Sequence, residues 1–111
     1  MIDRNHFTEQ AWNAIALSTQ AANELGHNYV GTEHLLVGLL MEEEGVAARV
    51  LDANGVKADK VKELISQLIF PNQNVGTIGE TVYTPGAVRV LNQSYREAVR
   101  FKAPLIGTEH L

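Results

Sequence analysis

The strongest constraint on this chain is that it matches itself. Sliding the sequence by 76 residues sets 7–35 over 83–111 without a gap. Nine of those 29 positions are then identical: Thr8 with Thr84, Ala11 with Ala87, Ser18 with Ser94, Ala22 with Ala98, and the five residues Gly31 to Leu35 with Gly107 to Leu111. Chance would give about two, so the agreement signals duplicated structure. Phe7 over Tyr83, Ile15 over Leu91 and Leu25 over Phe101 keep the apolar character of the pattern.

The repeated motif Gly-Thr-Glu-His-Leu reads as a helix start. Glycine turns the chain, a threonine hydroxyl can accept from first-turn N–H groups, and an acid sits where the helix dipole favours negative charge. In the first copy the apolar run Leu35, Leu36, Leu39 and Leu40 follows, with Gly38 allowing a neighbouring backbone close. Upstream, Phe7, Ala11, Ala14, Ile15, Ser18, Ala22 and Leu25 recur at three- and four-residue intervals, predicting a helix over 9–25 closed by Gly26. The helix that starts at the Thr32 cap should end near Glu42, Glu43, Glu44 and Gly45. A short third helix closes at Asn54-Gly55, and a fourth carries Val61, Leu64, Ile65, Leu68 and Ile69. Thr84-Pro85 then opens a fifth helix, with proline at the position where a missing N–H costs nothing. Its apolar face is Tyr83, Ala87, Val90, Leu91, Ser94, Ala98 and Phe101.

The expected fold class is therefore all-α, with tandem pseudo-twofold helical repeats. Residues 1–70 form a complete four-helix first repeat, 71–83 a linker, and 84–111 the start of a second repeat that stops after its first helix, as in a fragment of something longer. One domain is expected at 111 residues. The absence of cysteine removes disulfide and thiolate chemistry, the start lacks a signal-peptide pattern, and the longest apolar run is too short to span a bilayer, which together suggest a soluble cytoplasmic setting with no membrane partner. The net charge of −4 argues against a nucleic-acid partner.

Taken together, Phe-Thr near the start, Gly-His-Asn-Tyr-Val-Gly-Thr-Glu-His-Leu-Leu-Val-Gly-Leu at 26–39, Glu-Gly-Val-Ala-Ala-Arg-Val-Leu at 44–51, Tyr-Thr-Pro at 83–85 and the second Gly-Thr-Glu-His-Leu resemble the N-terminal domain of ClpC-type Clp ATPases. The resemblance implies a pair of Clp N-type repeats standing before two AAA+ modules, which bind ATP and Mg and feed clients to the ClpP peptidase. It implies adaptors of the MecA type and unfolded or arginine-phosphorylated clients as partners. On motif match, Thr32, Glu33, Thr108 and Glu109 would hold phosphoarginine: the acids pair with guanidinium N–H groups, while helix amides and threonine hydroxyls donate to phosphate. Glu42, Glu43 and Glu44, as an acidic docking patch, together with Tyr83 and Arg89, are the candidates for adaptor contact. The chain departs from the family opening Thr-Pro-Arg-Ala-Lys-Lys, reading Thr84-Pro85-Gly86-Ala87-Val88-Arg89 and losing two basic groups.

Two other function classes fit the residues less well. A metal-dependent hydrolase could draw on His27, Glu33 and His34, but no His-Glu-x-x-His spacing is present, and adjacent helical residues point about 100° apart. A helix-turn-helix DNA module is disfavoured by the acidic charge. No phosphate-binding Gly-x-x-x-x-Gly-Lys-Ser/Thr loop occurs, so neither cofactor, metal nor catalytic residues are expected on this chain.

Overall fold

A computed structural model describes residues 3–69 and 82–111. These form helices α1 (Glu9–Glu24), α2 (Thr32–Met41), α3 (Val46–Ala53), α4 (Ala58–Leu68) and α5 (Pro85–Arg100), with 3-10 turns at Arg4–His6 and Thr108–His110. The described residues are all-helical apart from two isolated bridges, Phe7 with Ile106 and Val30 with Tyr83.

The duplication survives in atomic detail. Thr8 accepts from the Ala11 N–H at 3.1 Å to start α1, and Thr84 accepts from the Ala87 N–H at 3.1 Å to start α5. Helix α5 buries Ala87, Leu91, Ser94 and Ala98, the repeat partners of buried Ala11, Ile15, Ser18 and Ala22 on α1. On both helices the buried serine satisfies its hydroxyl by donating to the carbonyl three residues back, Ile15 or Leu91.

The two halves are tied by exchanged backbone bonds. Thr8 N–H donates to the Ile106 carbonyl (2.9 Å), and Ile106 N–H to that of His6 (2.7 Å). Shifted by the repeat, the same pair reappears: Thr84 N–H donates to the Val30 carbonyl (2.9 Å), and Val30 N–H to that of Val82 (2.8 Å). Each half thus holds the other's lead-in against the segment before its own second helix. The side chains follow, since Phe7, Ala11 and Ile15 pack with Leu91, Ala98 and Ile106, while Ala22, Val30 and Leu35 pack with Ala87. A third cluster, Ala21, Val37 and Ile65 with Val61 and Leu25 around it, lies within the first half.

Helix α2 is the element most enclosed. It buries His34, Leu35, Val37, Gly38 and Leu40, so its apolar character wraps around the axis and is not confined to the leucine face expected from sequence. Gly38 does admit a close neighbour: a Cβ there would stand 2.9 Å from the Ser18 N and against the Ala14 carbonyl of α1, backbone that cannot swing aside.

Two expectations are corrected. Helix α2 is capped by Gly31, not Thr32, which occupies the first helical position. Phe101, placed by periodicity on the buried face of α5, is 67% exposed, whereas its counterpart Leu25 packs beside Val61 and Ile65 around α4. Of the linker expected at 71–83, residues 71–81 lie outside the described residues.

Candidate binding sites at the two repeated helix starts

Glycine has no side chain with which to cap, so the start of α2 needs another acceptor, and histidine provides it. Gly31 N–H donates to His34 Nδ1 at 2.9 Å, a capping box with histidine in the place usually taken by Glu or Gln. The second copy repeats the bond, Gly107 N–H to His110 Nδ1 at 2.8 Å. Both histidines are thus hydrogen-bonded structural groups. A Cβ on Gly31 or Gly107 would meet the carboxylate of Glu33 or Glu109, which folds back over the glycine at the end of a flexible side chain. Glu33 therefore lies at the positive end of α2, where the dipole favours it, while Glu109 sits in the 3-10 turn Thr108–His110.

Around this common backbone the two sites differ. Glu33 is half-buried and Glu109 exposed, so neither carboxylate is sealed. Thr32 is exposed and faces the start of α5: a Cβ on Gly86 would lie 3.6 Å from the Thr32 Cγ2 and 3.8 Å from an Arg89 guanidinium nitrogen. The fold therefore brings Thr32 and Arg89 to one junction, while half-buried Tyr83 packs behind it on Val30 and Leu35. Burial raises the Tyr83 hydroxyl pKa and outweighs the opposing hydrogen bond with Thr19, so this phenol stays protonated.

Thr108 has a different occupation. It is 3% exposed, and its hydroxyl accepts from the Ala47 N–H at 3.1 Å, capping α3 of the other repeat. Gly45, the N-cap of α3, is glycine because a Cβ would stand 2.8 Å from Thr108. Sequence reasoning missed this bond, which spans 61 residues; the signal available was a helix beginning with Gly45-Val46-Ala47 and lacking any side-chain cap of its own. Glu42, Glu43 and Glu44 run directly into Gly45, so the acidic turn borders this second start. Glu42 accepts from the Glu44 N–H at 3.2 Å, and Glu43 lines an open hollow of about 500 Å³ with Arg49, Asp52, Lys57 and Asp59.

Among the described residues no three histidine or acidic side chains converge as a metal site. His27 and His34 meet each other instead, Nδ1 to Nε2 at 2.8 Å. No helix of the described residues is long and apolar enough to cross a membrane.

The family described as Clp repeat (R) N-terminal domain matches residues 6–111. The negative regulator of genetic competence ClpC/MecB of Bacillus subtilis is 41% identical over 106 residues, covering 95% of this chain and 13% of the relative. The chaperone protein ClpB of Oceanobacillus iheyensis is 40% identical over 109 residues, again covering 95% of this chain and 13% of the relative. The ATP-binding subunit ClpC of the Clp protease of Staphylococcus aureus is 42% identical over 105 residues, 94% of this chain and 12% of that one. The crystal structure of the N-terminal domain of the chaperone ClpD from Arabidopsis thaliana has the same fold, with a TM-score of 0.78 at 24% identity over 98% of this chain and 74% of that chain.

Proposed function

This chain belongs to the Clp repeat N-terminal domain family, and on that premise we propose that it is the recognition domain of a ClpC-type unfoldase, receiving adaptors of the MecA type and clients marked by phosphoarginine. The chain spans about 13% of the length of its relatives, and the ATP- and Mg-dependent unfolding and delivery to ClpP belong, on this reading, to other parts of a cytoplasmic parent. One observation carries the proposal: both repeated helix starts keep a carboxylate within reach of solvent, Glu33 half-buried and Glu109 exposed.

The chemistry suits a zwitterionic ligand. A carboxylate accepts two N–H groups from a guanidinium, and Arg89 beside Thr32 offers a cation to the phosphate attached to it. Thr108, engaged with α3, serves the second site by holding Glu109 in place while Glu42, Glu43 and Glu44 give that side an acidic border suited to a basic adaptor segment. Titration of a phosphoarginine peptide against the wild type and a Glu33→Ala/Glu109→Ala double variant tests the reading. Loss of two charge-assisted contacts predicts affinity at least about tenfold weaker in the variant. Equal affinity would remove the acid-pocket assignment.

A further inference from the structure

We propose that His34 is an acid-released latch on the start of α2: a second proton on its ring undoes the hydrogen bond that caps the helix presenting Thr32 and Glu33. Gly31 N–H can only donate, so His34 Nδ1 carries a lone pair and the ring proton sits on Nε2. That Nε2–H points at His27 Nδ1, 2.8 Å away, which must therefore accept, leaving the His27 proton on its own Nε2. The His27 Nε2 is buried without a hydrogen-bond partner, so the string of donors runs one way, from Gly31 through His34 to His27, and ends there.

An added proton on His34 can go only to Nδ1, where it would face the Gly31 N–H. The cap would then be broken and a charge buried at a ring with 0% exposure. The surrounding groups relieve this only in part. Burial lowers the His34 pKa most; Glu33 on α2 raises it, and His27 from the connecting loop lowers it further. Tyr29, stacked on His27 at 5.3 Å and edge-on to His34 at 5.4 Å, is kept neutral by burial and by Glu33. The Ala22 carbonyl of α1 accepts from the His27 N–H; from the second half, Ala87 and neutral Tyr83 pack on the neighbouring Val30 and Leu35, and Arg89 lies on the surface beside Thr32. The second repeat lacks the string: Ala103 stands where His27 does, and the His110 ring is half-buried.

Because the folded pKa lies below the ordinary value of about 6.5, the unfolded chain binds the extra proton more readily. Stability is then complete above about pH 6.5 and falls as the pH drops through and below it. One such proton, withheld entirely by the folded state, raises the unfolding equilibrium constant by at most about tenfold between pH 7.5 and pH 5.5. The latch stands without the ligand assignment; only the consequence that acid also weakens client capture rests on the proposed function.

The test is urea unfolding of the 111-residue chain at both pH values, followed by Trp12 fluorescence, for the wild type and His34→Gln. Glutamine supplies a capping-box acceptor that does not titrate. The wild type should lose more in the equilibrium constant than the variant across this interval, by up to about tenfold, and equal losses would overturn the latch. Nitrogen NMR of the wild-type imidazoles gives a readout independent of whether the variant folds. His34 should carry its proton on Nε2 at pH 7.5, and a protonated Nδ1, or a ring titrating near 6.5 while the Gly31 amide keeps its native shift, would overturn it equally. Absence of phosphoarginine binding at either pH would count against the functional reading and leave these two results unaffected.

Discussion

The start of α2 and the start at Gly107 share five residues and one backbone geometry, yet they invest their side chains in opposite ways. In the first, histidine is the buried member, paired with His27, and Thr32 is left at the surface. In the second, threonine is the buried member, capping α3, and His110 lies half-open beside the Phe101 ring. An identical motif therefore fixes the local turn and leaves the role of each side chain to whatever the rest of the fold places next to it. Residue identity carried the geometry; neighbours assigned the work.

That contrast can be broken by paired substitutions. The largest difference should come from the histidines: His34→Ala removes a fully buried ring and its two hydrogen bonds and should cost about 3 kcal/mol. His110→Ala, losing chiefly a cap, should cost about 1 kcal/mol. Urea unfolding at pH 7.5 compares them, and equal losses would mean that the two starts are equivalent. The threonines should rank in reverse. Thr108→Ala deprives α3 of its cap and should cost about 1 kcal/mol, while Thr32→Ala, at an exposed position, should stay within about 0.5 kcal/mol. A last contrast lies at the ends of the repeated helices. Gly26 closes α1 at φ 79°, but its partner Lys102 holds φ 58° with a side chain attached. Lys102→Gly should therefore raise stability by about 0.5 to 1 kcal/mol, readable as a shift in thermal midpoint.

Much of this architecture could be read from the sequence because its signals are local. Thr84 caps α5 where Thr84-Pro85 announced a helix start, and the shared Ala, Ser and aliphatic positions of α1 and α5 are buried as the 76-residue shift implied. Gly38 was legible as a close approach for the same reason. What escaped was set at long range. The Thr108 bond to Ala47 joins residues with no sequence relation, and the pairing of His27 with His34 depends on how the loop after α1 folds back. Thr32 was misread as the cap because threonine is the commoner capping residue, and a glycine assisted by histidine at the third helical position competes with it for the same role. Phe101 shows the remaining limit: a periodic pattern marks a face as apolar, but only a neighbouring element covers it.

The exchanged backbone bonds set a timetable for synthesis. Thr8 cannot reach the Ile106 carbonyl until residue 106 has left the ribosome, so of the two clamps that join the halves this one closes last, however early α1 and α2 have formed. At translation rates of about 5–20 residues per second, the nascent first half must wait seconds with Phe7 unpaired. Chaperone contact during that interval would engage the very residues that the finished domain conceals.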